Sequence, residues 1–355
     1  MHDRPWSRTN RLILAAAANL GVEAEPLGSE HSDFFLRLRW PEAPEGPRAV
    51  LISKTRSPYL TEVAQTLANN KFLSRELLAG RGVPTVPSLL LDDDADPRRD
   101  PATAARARDF LGQCGALAVK PNWGNRGLGV VTEVRDFAAL ARAYAHARDL
   151  DRDEEVVLEP MLHGVNLRVA VVGGQAVAAA EIRRPMLRGD GRSTIQALLE
   201  TLNADPRRGS WRRPALTSLD QIETEDLEAR LAASNLSLQQ VPAPGQELEI
   251  SFEELEVIDR SDELHGHWLA LAAEAARLLG VDVAGVDLMG PAEELFGSPK
   301  GEDGLTRLLE INALPALHLH ALPTQGKARP VFEAFVAYCL QLPGAPPICA
   351  SVMVA

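Results

Sequence analysis

Apolar positions along the chain alternate between the two-residue spacing of a strand and the three-to-four-residue spacing of a helix. Residues 10–20 carry the helical spacing, whereas Phe34–Trp40 and Ala49–Ile52 read as strands separated by the Pro/Gly-rich turn Pro41–Pro47. A helix is predicted over 61–80, ended by Gly80 and Gly82, before an extended Val83-Pro84-Thr85-Val86-Pro87. Asp92–Asp100 is a solvated acidic turn. Ala116–Lys120 and Gly129–Thr132 read as strands joined by a glycine-rich turn. A helix over 135–149 and a short strand over Glu155–Glu159 follow. Arg168–Val172 and Ala176–Ile182 flank Gly173-Gly174, a two-residue hairpin signal. Helices over 193–203, 221–234, 267–280 and 329–341, with strands Val283–Met289 and Arg307–Ile311 around a polar stretch 290–304, complete the pattern. Interleaved strands and helices give an α/β class, or α+β with mixed sheets.

Composition narrows the partners. With 45% hydrophobic and 24% charged residues in a chain of 355, the sequence is that of a globular protein with ample core. Its net charge of -12 repels phosphate backbones and anionic lipid, so neither nucleic acid nor membrane is expected as the main partner. A small anion still binds where a few fixed donors converge. Cys114, Cys339 and Cys349 are too few and too scattered for a disulfide framework, which suits a reduced cytoplasm. Arg4, Arg8 and Arg11 before Leu12–Leu20 imitate the opening of a signal peptide, but the run is Ala-rich, contains Asn19 and lacks a convincing cleavage site. It is read as a first amphipathic helix. No run approaches the 18 apolar residues of a membrane span.

Two constellations carry chemistry. Of 37 basic residues only five are lysines, at 54, 71, 120, 300 and 327. Lys120 ends an apolar strand and is followed by Pro121-Asn122-Trp123-Gly124-Asn125-Arg126-Gly127-Leu128-Gly129, so a cation stands beside a loop whose backbone N–H groups can close over phosphates. The loop lacks the Gly-Lys-Ser/Thr of a Walker A motif; its alternative is a plain hairpin with a surface lysine. The second constellation is Asp287, Glu310 and Asn312, in apolar strands where an unpaired carboxylate is costly. Glu310 and Asn312, two apart, share one face. Two carboxylates and an amide oxygen suit Mg2+ shared with phosphate oxygens. A rival metal reading groups His265, His267, His318 and His320 around zinc.

These segments resemble a known family. Lys71–Pro87 (KFLSRELLAGRGVPTVP), Ala118–Val130 (AVKPNWGNRGLGV), Val156–Val172 (VVLEPMLHGVNLRVAVV) and Leu308–His320 (LLEINALPALHLH) are similar to the motifs of ATP-grasp carboxylate–amine ligases. Gly189–Ile195, Asn203–Gly209, and Gly326 with Arg329 resemble segments of the subgroup that holds the ATP-grasp domains of cyanophycin synthetase and bifunctional glutathione synthetase. The resemblance spans about residues 65–341. It implies an ATP-grasp fold with an N-terminal α/β segment (1–68), a lid part with the glycine loop (69–158), a catalytic part (159–343) with an insertion near 185–260, and a tail (344–355).

By that resemblance Lys71 and Lys120, with Asn125, Gly127 and Gly129 of the loop, contact ATP phosphates. Glu159, Met161 and Leu162 form the hinge against adenine. Asn166 stands where the family usually has an acid for the ribose hydroxyls. Asp287, Glu310 and Asn312 hold two Mg2+ ions, with Mn2+ as a substitute. Arg168 and Arg183 (or Arg184) stabilise the acyl phosphate and the tetrahedral intermediate. The implied activity is ADP-forming amide synthesis on amino acids or short peptides, in a cytoplasmic enzyme that can form homo-oligomers. Ser251–Ile258 replaces an Asn-Leu-Ser-Thr-Gly-Gly-type segment, Pro315-Ala316 a Pro-Gly, and His318 an arginine, so the relatives' products do not transfer. A nucleotide-binding scaffold without turnover, or an enzyme making an ester or modifying a peptide natural product, are the alternative readings.

Overall fold

The computed structural model describes residues 7–27, 34–44, 46, 48–92, 94–124, 129–151, 153–183, 186–204, 231, 236–249 and 256–348. The chain divides into two units: residues 1–58, 177–261 and 316–345 form one, and residues 59–176, 262–315 and 346–355 the other.

In the first unit an antiparallel sheet runs in the order Glu23–Pro26, Phe35–Trp40, Arg48–Ser53. The middle strand alternates as its sequence predicts. Leu36 and Leu38 are buried, while Arg37 and Arg39 point outward and pair with Glu25 and Glu23 across the ladder. The helices Arg8–Asn19 and Val331–Leu340 pack on each other, and the second also packs on the sheet. Strand Gln175–Arg183 pairs with Glu256–Asp259. The strands Met186–Arg188 and Glu247–Glu249 share a small core with the helix Ile195–Asn203. The helix expected over 221–234 lies outside the described residues except at 231.

The second unit holds two antiparallel arrays. One has the order Leu89–Leu91, Val156–Pro160, Leu117–Pro121, Val131–Val134. Its apolar face is buried with Ala107 and Leu111 of helix Pro101–Cys114 and with Leu140 and Tyr144 of helix Phe137–Arg148. In the other, Val283–Gly290 lies between Val165–Val172 and Arg307–Asn312, and helix Gly266–Leu278 packs on it. The helix expected over 61–80 is two helices, Glu62–Asn69 and Lys71–Ala79. Asn70 is extended between them, and its side chain accepts from Leu73 N–H, capping the second. That break puts Lys71 at a helix start, with Lys71, Ser74, Arg75 and Leu78 on its buried face.

Gly290 fixes the approach of two strands. A Cβ there would stand 2.1 Å from Thr306 Oγ1 and 2.7 Å from Thr306 Cα, so backbone next to the strand Arg307–Asn312 would have to move. Gly290→Ala is expected to cost about 1–3 kcal/mol, read as a lower thermal midpoint than wild type.

Candidate active site

Three strands bring the expected metal residues together. Asp287 is in register with Glu310 on one neighbour and with Arg168 on the other. Gly285, in register with Asn312, has no side chain to occupy the space in front of Arg168: a Cβ there would already be 3.5 Å from Arg168 Cδ. The Arg168 guanidinium donates to both carboxylate oxygens of Asp287 at 2.6 Å. Asn312 Nδ2 donates to Glu310 Oε1 at 3.2 Å and to Asp287 Oδ2 at 3.4 Å.

The electrostatics of this cluster are opposed. Burial, with the Glu310 carboxylate adding to it, raises the pKa of Asp287 above the usual carboxylate range despite Arg168. For Glu310 burial pushes the same way, but Lys71, Lys120 and Arg168 outweigh it and hold its pKa low. Burial alone would lower the Arg168 pKa; the Asp287 carboxylate raises it instead. A buried and a half-buried carboxylate beside an amide are a hard-oxygen donor set, and Mg2+ commonly takes one or two carboxylates and completes its shell from phosphate and water. The residues present fit such an ion.

The expected phosphate lysines stand next to this cluster in charge terms. Lys71, 8% exposed, donates from Nζ to the carbonyls of Gly124 (2.8 Å) and Asn122 (3.2 Å). Its pKa falls to about 8, chiefly through burial, with Glu310 pulling up and Lys120 pushing down. Lys120 Nζ is 2.7 Å from Glu159 Oε1. Burial lowers its pKa although Glu159 opposes this. Burial by itself would raise the Glu159 pKa, yet Lys120 and Arg75 together keep it depressed.

The glycine loop is anchored at both ends. Asn122 is fully buried; its Oδ1 accepts from Phe72 N–H, and its Nδ2 donates to Glu155 Oε2. Trp123 donates its N–H to Asp151 Oδ2 and its indole Nε1–H to Glu155 Oε2. Gly129, at φ 74°, closes the loop where a Cβ would meet Pro121 Cγ at 2.7 Å. Asn125 and Gly127 lie outside the described residues.

On the expected hinge, Pro160 has no N–H, and Met161 N–H donates to Ala116 O, which makes Leu162 the next amide in line. Asn166 shares the strand of Arg168, two residues away on the same face. Arg183 donates to Glu181 Oε1 at 2.5 Å, and Arg260 donates to the other oxygen, Oε2. Arg184 lies outside the described residues. Arg329 donates to both oxygens of Asp259, and Gly326 packs against the same residue, where a Cβ would lie 2.8 Å from Asp259 Cβ.

Sequence reasoning missed Arg75, which is 2% exposed and pairs with Glu159. Its signal was its place four residues after Lys71, on the same helix face. The zinc reading gains nothing. His265 Nδ1 accepts from His267 N–H, and among the described residues no group of three or more His, Cys, Asp or Glu side chains is placed to hold a metal.

No family model matches the chain. The cyanophycin synthetase of Trichormus variabilis is 30% identical over 275 residues, which is 76% of this chain and 28% of that protein. The glutathione biosynthesis bifunctional protein GshAB of Desulfotalea psychrophila is 25% identical over 338 residues, or 92% of this chain and 40% of that protein. The crystal structure of a bifunctional glutathione synthetase from Pasteurella multocida superposes with a TM-score of 0.61 at 22% identity, covering 94% of this chain and 44% of that one. The chain is thus similar in sequence to part of cyanophycin synthetase and shares the fold of that glutathione synthetase. It spans less than half the length of these relatives. The expected α/β class is borne out. No helix among the described residues is long and apolar enough to cross a membrane.

Proposed function

We propose that this chain is an ATP-grasp protein, an ADP-forming ligase that activates a carboxylate as an acyl phosphate and joins it to an amine. The observation that carries the reading is the convergence, on three adjacent strands, of Asp287, Glu310, Asn312 and Arg168, with Lys71 and Lys120 close enough to shift the Glu310 pKa. Attack of a carboxylate on a γ-phosphate brings two anions together, so the barrier is largely electrostatic.

Each residue then has a task. Lys71 and Lys120 offset phosphate charge, and the N–H groups of the glycine loop, Asn125, Gly127 and Gly129 included, close over the phosphates. Asp287, Glu310 and Asn312 hold Mg2+, two ions in the full complex. Bound Mg2+ would neutralise phosphate charge and order the oxygens for in-line transfer. Glu159, Met161, Leu162 and Asn166 frame the nucleoside. Arg168, with Arg183 or Arg184, faces charge on the acyl group. The substrate carboxylate oxygen bonds to the γ-phosphorus as the bond to the β–γ bridging oxygen breaks, and ADP departs. The amine then attacks the acyl carbon, the C–O bond to phosphate breaks, phosphate leaves with its electron pair, and the nitrogen sheds a proton. Excluding water protects the acyl phosphate, which suits residues 69–158 as a lid. Amino acids or short peptides are the proposed substrates, in the cytoplasm.

A substrate carboxylate labelled with 18O tests the route, because acyl phosphate chemistry carries one labelled oxygen into the released phosphate. Unlabelled phosphate with an amide product would overturn it.

The Lys71 pKa adds a pH signature. Phosphate binds the protonated amine, and in the free protein that form declines above about pH 8. Nucleotide affinity should therefore fall as pH rises through 8, by up to about tenfold per unit. Lys71→Arg, which keeps its charge, should show a shallower decline over the same range in calorimetric titrations. Equal slopes for the two proteins would contradict the assignment.

A further inference from the structure

Arg75 and Lys120 address the same atom, Oε1 of the buried Glu159. The other Arg75 contacts fix its place: Nε donates to Leu309 O at 2.7 Å, next to Glu310, and Nη1 donates to Ser88 Oγ at 2.9 Å. The guanidinium is 2% exposed and Nη2 has no hydrogen-bond partner among the described residues. Nothing in the reaction proposed above needs a third buried cation at this point.

We propose that Arg75 is a positioning residue that neutralises Glu159 and so leaves the charge of Lys120 available to the nucleotide. A lysine facing a buried carboxylate alone forms a neutral pair, and drawing it toward a phosphate would strand that carboxylate in a poorly solvated site. With Arg75 on the same oxygen, the trio Arg75–Glu159–Lys120 carries one net positive charge. Lys120 then turns to a phosphate oxygen while Glu159 remains paired, since a guanidinium does not surrender its proton in proteins. Glu159 keeps the lysine aimed, and Arg75 keeps the lysine from being consumed by its own guide. The Leu309 contact ties this trio to the strand that carries Glu310.

The inference rests on the reading that Lys120 meets phosphate, and the test separates the two. ADP and ATP affinities are measured by calorimetry in the presence of Mg2+ for Lys120→Ala, Arg75→Met, Glu159→Gln and the double variant Arg75→Met/Glu159→Gln. Lys120→Ala is the control: unchanged affinity there would refute the phosphate role of Lys120 itself. Given a loss in that control, Arg75→Met should weaken nucleotide binding by about tenfold or more relative to wild type, as expected for losing one charge-assisted partner. With the carboxylate already removed, the same substitution should cost less than about threefold, so the double variant should bind within about threefold of Glu159→Gln. That non-additivity is a readout a merely structural arginine would not give. A loss of about tenfold in both backgrounds would overturn the proposal and assign Arg75 to tying strands together. Should Arg75→Met fail to melt cooperatively, the Glu159→Gln background decides alone: a loss under about threefold supports the proposal, and one of about tenfold overturns it.

Discussion

Glu310→Ala should abolish ATP-dependent turnover, by about a thousandfold or more, while the chain still melts cooperatively. The size follows from the proposed role. Removing one group that stabilises developing charge commonly costs 10²–10³ in rate, and Glu310 would also be lost as a ligand to the cation that orders the phosphates. Its place argues against a mainly structural part. Glu310 sits opposite Asp287, accepts from Asn312, and feels Lys71, Lys120 and Arg168 strongly enough for its pKa to be held low against burial. Deleting it removes the like charge that raises the Asp287 pKa, which partly offsets the loss of a partner for Lys71, Lys120 and Arg168. Stopped turnover in a chain that still melts cooperatively is the expected pair of results. Turnover near the wild-type rate would remove Glu310 from the machinery.

Arg168→Met should produce the opposite separation, with a large loss of apo stability that Mg2+ partly repairs. Arg168 and Asp287 have side chains only 19% and 10% exposed, and the guanidinium holds both carboxylate oxygens. Breaking a buried pair from one side typically costs about 3–5 kcal/mol, because the other charge is left without compensation. Here the stranded carboxylate also faces Glu310. Two uncompensated carboxylates attract a divalent cation more strongly than a pair already shared with an arginine. The thermal midpoint of Arg168→Met should therefore lie well below wild type, and Mg2+ with ADP should raise it by more than it raises wild type. An unchanged midpoint, or equal Mg2+ shifts in both proteins, would show that Arg168 does not compensate this site.

The carboxylates of this site were legible in the sequence, for a physical reason, whereas Arg168 came from the family resemblance alone. A carboxylate in an apolar strand is costly unless something pays for it, so Asp287 and Glu310 stand out before any fold is known. Strands with strict alternation, such as Phe35–Trp40, also read correctly, because a period of two leaves little freedom in which side faces the core. The break at Asn70 was less visible. The expected helix ran straight through Asn70, whose side chain caps the next helix. Helix Pro101–Cys114 went unassigned, although Asp100 capping Thr103 N–H with Pro101 in the first turn is a readable start signal.

Arg75 was hidden for a different reason. Polar patterning places a guanidinium on the solvent side of its helix, and only its partner on a distant strand, Glu159, compensates its buried charge. Glu159 was expected at the hinge; that its side chain also pairs with both cations could not be read from spacing. The anchoring of the glycine loop by Asp151 and Glu155 depends on contacts some thirty residues apart in sequence, which spacing alone does not reveal.

The most direct test of the ligase reading is ADP release from Mg·ATP in the presence of pooled amino acids and dipeptides, with Lys120→Ala alongside. The account predicts release that depends on at least one pool, yields an amide product stoichiometric with ADP, and disappears in Lys120→Ala. ATP binding without stimulated release by any pool, or release that persists in Lys120→Ala, would contradict it and favour a nucleotide-binding scaffold.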